Sequence, residues 1–245
     1  MKQRLDQALV ERGLSPTRSQ ARDLVRRGCV TVAGVTATKP ARTVEAATAI
    51  EVAPRAQPFV SRGGLKLAAA LERFAFASTG RVCLDIGAST GGFTQVLLEA
   101  GAARVWAVDI GRGQLSPRLA GDARVVSREG FDARNLSASE IAEPFGAIVA
   151  DASFISLIRV LPPAMALAAP GAWLVALIKP QFEVGRDDIG SGGIVRSEPA
   201  RDRAVAMVRD WLTSQHPWTV NGVIPSPIVG GAGNREFLIG AHRDS

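Results

Sequence analysis

From residue 61 onward the chain alternates short apolar runs with stretches of helical periodicity, and that alternation limits what it can fold into. The runs fall at Val82–Ile86, Arg104–Asp109, 124–127, 147–151, 172–178, 219–223 and 236–239. Each reads as a β-strand, and the helical stretches between them predict an α/β fold with a mostly parallel sheet covered by helices. The segment WLVALI, residues 173–178, is apolar at every position, as a strand buried on both faces must be. It runs straight into Lys179 before Pro180 stops it. An ammonium group at the end of a buried strand is costly. In such sheets ligands bind beyond the carboxyl ends of the strands, where strand order reverses, so the residues just past each run are the ones to examine.

The first run leads into LDIGASTGGFT. Asp85 closes the strand, and Gly87, Gly91 and Gly92, with Ala88, Ser89 and Thr90 among them, make a turn that a ligand can approach closely. Phe93 opens an amphipathic helix whose N-terminus can receive partial negative charge. The spacing is G-x-x-x-G-G, not G-x-G-x-x-G, which disfavours a nicotinamide dinucleotide. The second run ends in VDIG, placing Asp109, with Ile110 after it, where an acidic side chain binds ribose hydroxyls. In EGFDARNL, after the third run, Asp132 is suited to accept a hydrogen bond from an adenine amino group.

Charge separates the two ends of the chain. Residues 1–60 hold 10 Lys and Arg against 5 Asp and Glu, while the rest holds 19 against 18. The basic excess predicts a small polyanion-binding module attached to a nearly neutral body. Leu5, Ala8 and Leu9 mark a first helix that Gly13 ends. Ser15-Pro16 reads as the start of a second helix that runs to about Arg27, with Gly28 after it. Arg18, Arg22 and Arg26 recur every four residues as one basic stripe. A β-type stretch at 30–32, a turn at Ala33-Gly34 and a strand near 49–52 follow. Residues 53–60, with two prolines, read as the linker.

The segment RLDQALVERGLSPTRSQARDLVRRGCVTVAGVTATKP resembles the S4 RNA-binding domain. The resemblance implies that Arg18, Arg22, Arg26 and Arg27, with Arg4 nearby, grip RNA phosphates. DIGASTGGFT and VDIG look like motifs I and II of S-adenosylmethionine-dependent methyltransferases, with Ser89 where the family often has a small residue. Together with SRGGLKL, DASFISL, LIKPQFEVG and GNREFL, the pattern is similar to the TlyA/hemolysin-A family of ribosomal RNA 2′-O-methyltransferases. That likeness implies an S4-type α+β domain over residues 1–53, a linker at 54–60, and over 61–245 an FtsJ-like, Rossmann-like class I methyltransferase domain with a seven-stranded, mostly parallel sheet. It implies S-adenosylmethionine as cofactor and ribosomal RNA in ribosomal subunits as partner, with cytidine ribose as the target.

The family carries a Lys-Asp-Lys-Glu tetrad, matched here by Lys66, Asp151, Lys179 and Glu236. A ribose 2′-hydroxyl is a poor nucleophile until it loses its proton. An amine takes that proton only when desolvation or a nearby cation brings its pKa down from about 10.4, and an adjacent carboxylate opposes this while orienting the amine. Lys179 is therefore assigned to deprotonate or orient the hydroxyl, Asp151 to hold its ammonium, and Lys66 and Glu236 to position the ribose. Ser153 and Phe154 are candidates for the target pocket, Phe154 either stacking on a base or packing. The glycine-rich segment 185–198 reads as a lid or RNA-contacting loop, and Arg62 and Arg196 as backbone contacts. Cys29 and Cys83 read as small reduced core residues, and His216 and His242 as surface residues. No metal-ligand spacing, membrane-spanning run or signal-peptide core occurs, so the expected location is cytoplasmic. Two competing readings are a non-catalytic RNA-binding factor and, less consistent with these segments, a membrane-lytic protein.

Overall fold

Whether a strand is buried on one face or both follows from its neighbours, and the sheet order supplies them. The computed structural model describes residues 2–26, 28–53, 59–141, 143–230 and 233–244. The chain divides into two compact units, Met1–Ser61 and Arg62–Ser245. Five of the seven residues expected to form a linker, 54–58, lie outside the described residues.

The first unit starts with β1 (Lys2–Arg4), α1 (Leu5–Glu11) and α2 (Arg18–Arg26), followed by β2 (Val30–Val32), β3 (Val35–Thr36), β4 (Thr43–Glu45) and β5 (Ile50–Val52). Leu5, Ala8 and Leu9 of α1 pack on Ala21, Leu24 and Val25 of α2, the faces that helical periodicity pointed to. The second helix begins at Arg18, later than Ser15-Pro16 suggested. Thr17 supplies the cap, its Oγ1 accepting from the Gln20 backbone N–H at 3.3 Å, while buried Ser15 donates to the Thr17 carbonyl. The pairing of β1 with β4 was not read from the sequence, because three residues give no usable alternation. Cys29 is only partly buried against this core, whereas Cys83 is fully buried in the second unit.

The second unit runs α3 (Gly63–Phe74), β6 (Val82–Ile86), α4 (Gly92–Glu99), β7 (Arg104–Asp109), α5 (Pro117–Ala120), β8 (Val125–Glu129), β9 (Phe145–Ala150), α6 (Leu157–Ala166), β10 (Ala168–Ile178), α7 (Pro180–Glu183), α8 (Glu198–Thr213), β11 (Trp218–Pro225) and β12 (Phe237–Arg243). Its seven-stranded sheet has the order β11-β12-β10-β9-β6-β7-β8, and β12 alone runs against its neighbours. Strand order reverses between β6 and β9, the position where α/β sheets bind ligands. Residues 172–178 of β10 are buried at every position between β9 and β12, as an all-apolar run requires. Five strands have limits that differ from the sequence reading, among them β9, which spans 145–150 with Asp151 just beyond it, and β10, which starts at Ala168. β8 extends to Glu129 because its pairing with β7 continues to Asp109↔Glu129, although as an edge strand it lacks apolar alternation. β12 begins at Phe237, one residue after Glu236, and runs to Arg243. β11 spans 218–225. Among the described residues no helix is long and apolar enough to cross a membrane.

Candidate active site and basic face

Strand register brings three of the tetrad positions to one edge of the sheet. Ala150 lies opposite Ala176 and Ile86, while Ile178 pairs with Phe237. Asp151, Lys179 and Glu236 are the residues immediately beyond Ala150, Ile178 and Phe237, so they emerge side by side. Pro180 opens α7 at its first position and turns the chain away, leaving Lys179 as the last extended residue. Only 8% exposed, Lys179 has its Nζ 2.7 Å from Asp151 Oδ1 and donates to Ser153 Oγ at 2.8 Å and to the Asp151 carbonyl at 3.3 Å. Two N–H donors of the ammonium thus have oxygen acceptors, while Asp151 Oδ1 faces it as an ion-pair partner without a hydrogen bond.

Lys66, on the first turns of α3, is buried and bonds Glu236 Oε2 at 2.7 Å. A Cβ on Gly230 would stand 2.3 Å from Glu236 Oε1, so only glycine lets that loop close on the carboxylate. The loop is tied further by Asn234, whose Oδ1 accepts from the Val195 N–H at 2.9 Å and whose Nδ2 donates to the Gly193 carbonyl at 2.8 Å. These bonds anchor the glycine-rich segment next to the start of β12. Asn234 was missed from the sequence, where the flanking GNREF was legible but the amide's partners were not. Arg196 is exposed, and Arg62 directly precedes α3 without a side-chain capping bond.

A cleft of about 980 Å³ opens at the switch point. Of the expected cofactor residues, Gly87, Ser89, Asp109, Ile110 and Asp132 line it. Asp85, Ala88, Thr90, Gly91, Gly92 and Phe93 do not, and Phe93 is buried in the core face of α4. A Cβ on Gly87 would come within 2.9 Å of the Asp151 carbonyl oxygen, so the glycine turn and the strand end bearing Asp151 touch. Ser89 adopts φ 47°, a conformation that favours glycine. That backbone aims its N–H at Asp109 Oδ2, 2.8 Å away, while its hydroxyl lies 3.0 Å from Gln114 Oε1. Asp109 Oδ1 accepts from the Gly111 N–H at 2.7 Å. Glu129, unnoticed in the sequence, then holds the loop after β7 by accepting the N–H groups of Gly113, Gln114 and Leu115, which lowers its pKa. Asp132 is also engaged, bonded by Arg134 through Nε, Nη2 and the backbone N–H, and these bonds lower its pKa.

Asp85 behaves differently. It is completely buried, and burial pushes its carboxyl up to about 7, helped by the charges of Asp151 and Asp109. Thr94 Oγ1 donates to Oδ2 at 2.6 Å, while Oδ1 has no hydrogen-bond partner among the described residues. The cleft at the switch point, lined by Asp109, Asp132 and Asp151, fits a ligand carrying a cationic group and a ribose, while Asp85 lies outside that lining.

The far half of the cleft is lined by Ser153, Phe154, Ile155, Phe182, Glu183 and Met207, among others. Phe154 is 91% exposed at φ 64° and rests against Phe182 with ring centroids 5.1 Å apart. A bulky residue in that conformation, facing solvent at a cleft, is strain of the kind that collects at functional sites. Glu183 caps α6 by accepting from Ser156 Oγ and the Leu157 N–H, and its burial raises its pKa.

On the first unit, Arg18 and Arg22 converge on Asp6 with Arg4, while Arg26 is exposed one turn on. Arg27 lies outside the described residues. Arg12 turns inward instead, donating to the carbonyls of Glu45, Ala46 and Thr48.

Comparison with known proteins agrees with this geometry. Residues 59–243 match the family model for FtsJ-like methyltransferases and residues 3–50 that for the S4 domain. The chain is 46% identical to the 16S/23S rRNA (cytidine-2′-O)-methyltransferase TlyA of Mycobacterium tuberculosis, over 96% of this chain and 88% of that one. It is 39% identical to hemolysin A of Brachyspira hyodysenteriae, over 96% and 98% respectively. A solved structure of a hemolysin-named protein from Streptococcus thermophilus superposes with a TM-score of 0.77 at 37% identity, covering 100% of this chain and 89% of that one. With three of the tetrad positions at one edge of the sheet and a cleft at the switch point, the chain belongs to the FtsJ-like methyltransferase family, in the TlyA/hemolysin-A group that joins that domain to an S4 domain.

Proposed function

We propose that this protein transfers a methyl group from S-adenosylmethionine to the 2′-hydroxyl of cytidine in ribosomal RNA, acting on ribosomal subunits in the cytoplasm. The observation that carries the proposal is the ion pair of buried Lys179 with partly exposed Asp151 at the ends of β10 and β9, with Asp151 also lining the cleft. Asp109 and the turn at Gly87–Ser89 would hold the ribose end of the cofactor and Asp132 its adenine, while Asp85, buried and outside the cleft lining, would act on its cationic amino-acid end by charge alone. The cofactor, when bound, supplies an electrophilic methyl group.

Lys179 carries the rest of the chemistry together with Asp151. Two of its N–H groups are bonded to oxygens, and the one to the Asp151 carbonyl, at 3.3 Å, is the longer, so an incoming 2′-hydroxyl displaces that one. The amine then holds the 2′-oxygen by an N–H···O bond. Forming the O–C bond would break the cofactor's S–C bond and release a neutral thioether, while the hydroxyl proton would leave to the Asp151–Lys179 pair and then to solvent. Lys66 and Glu236 fix the other side of the ribose, and their mutual bond keeps both charges satisfied while the site is empty of RNA. Phe154 stacks on the target base or its neighbour, drawing the nucleotide out of its helix.

The test is to incubate the protein with methyl-labelled S-adenosylmethionine and ribosomal subunits, then hydrolyse the RNA in alkali. Label in alkali-resistant dinucleotides with cytidine on the 5′ side is the expected result. Label in mononucleotides would place the methyl on a base and overturn the ribose assignment. RNA binding without any transfer would instead favour the non-catalytic factor.

A further inference from the structure

We infer that Asp6 is a positioning residue, which holds the arginines of the first unit in the geometry that grips RNA phosphates; the inference rests on the reading of that unit as RNA-binding. Asp6 has no solvent exposure, sits in the first turn of α1 and meets guanidinium groups from two other elements. Arg4 of β1 donates through Nε to Oδ1 at 3.0 Å and through Nη2 to Oδ2 at 3.1 Å. Arg18 and Arg22 of α2 donate through Nε to Oδ2 at 3.1 and 3.0 Å. Four N–H donors thus occupy a carboxylate that has about four acceptor positions. Burial alone would raise the Asp6 pKa, but the bonds from Arg4, Arg22 and Arg18 outweigh it and hold the group far below the ordinary carboxylate range.

The bonding pattern separates two jobs within each arginine. Arg18 and Arg22 reach Asp6 through Nε, the nitrogen nearest the stem, so the bond does not require their terminal Nη groups. All three arginine side chains are close to half exposed. A planar fork anchored at Nε is oriented in advance, whereas a free arginine must lose its rotamer freedom when it binds a phosphate. Charge counting gives the opposite expectation. Removing Asp6 raises the local charge from +2 to about +3, which by counterion release alone should tighten RNA binding and steepen its salt dependence.

That opposition of sign is the test. The full chain and its Asp6→Asn variant are titrated against fluorescently labelled, deproteinised ribosomal RNA over a salt series, well below the unfolding temperature. Binding of S-adenosylhomocysteine, which involves the second unit, is measured alongside and should not change. Asp6→Asn is expected to bind RNA about tenfold more weakly with a shallower salt slope, despite its extra positive charge. Affinity equal to or tighter than wild type would overturn the inference while leaving the RNA-binding reading intact. Wild-type protein that does not bind ribosomal RNA would overturn both. Should hydrogen exchange show the first unit unfolded in Asp6→Asn, the deciding variant is Arg22→Lys. It keeps the charge but cannot serve Asp6 and a phosphate from separate nitrogens. Weaker RNA binding by Arg22→Lys supports the positioning role, and unchanged binding overturns it.

Discussion

The buried carboxyl of Asp85 makes stability of the second unit depend on pH in a calculable way. Burial, with the charges of Asp151 and Asp109, raises its pKa from 3.8 to about 7 in the folded protein, against an ordinary value when unfolded. Below about pH 4 both states are protonated and the group contributes nothing. As pH rises toward 7 the unfolded chain ionises while the folded one keeps its proton. The folded state then binds more protons, and stability falls by about 1.4 kcal/mol per pH unit. Above about pH 7 the loss levels off near 4 kcal/mol, the product of that slope and the pKa difference. Asp85→Asn keeps an acceptor for Thr94 and removes the ionisation. It should therefore gain stability over wild type as pH rises from about 4 to 7, by about 4 kcal/mol, and then hold a constant advantage. Urea unfolding followed by tryptophan fluorescence reports on this unit alone, because Trp106, Trp173, Trp211 and Trp218 all lie within it. A difference between variant and wild type that stays flat across this range would refute the reasoning.

Three further outcomes follow from the same geometry. Lys66→Met strands the buried Glu236 carboxylate and should cost about 3–5 kcal/mol in urea unfolding, most of it recovered by the double variant Lys66→Met/Glu236→Leu. Phe154→Ala, at a position 91% exposed, should change stability by less than about 1 kcal/mol and leave S-adenosylhomocysteine binding intact, yet lower methyl transfer to ribosomal subunits. Gly87→Ala places a Cβ 2.9 Å from the Asp151 carbonyl at φ 79°, so calorimetry should find cofactor binding weakened by at least tenfold, roughly 1–3 kcal/mol of strain.

What the sequence made legible was whatever repeats or must be apolar. The buried run 173–178 and the helical faces of α1 and α2 appear as expected, because burial on two faces or one leaves a regular signature. Asp151 and Lys179 were readable as strand ends, whereas the strand order that reverses at β6 and β9 came only from the sheet pairing. The end of edge strand β8 and the short pair β1 and β4 were obscured, since half-exposed or three-residue strands carry no alternation. At the site, acids were visible by type but their partners were not. The Asp132–Arg134 bond is local in sequence, yet an adenine acceptor and an arginine clasp look alike without coordinates. Glu129, Asn234 and Thr94 act by holding loops or a neighbour, and nothing in their residue type marks that. Asp6 was hidden for the opposite reason: it reads as an ordinary first-turn acid until three arginines are seen to meet on it.

The central claim is that Lys179, held by Asp151, activates or orients the ribose hydroxyl. Its most direct test is single-turnover methyl transfer to ribosomal subunits by wild type and Lys179→Ala, with S-adenosylhomocysteine affinity measured on the same preparations. The account predicts a loss of about 10²–10⁴-fold in the transfer rate with cofactor affinity nearly unchanged. Transfer by Lys179→Ala at close to the wild-type rate would contradict it.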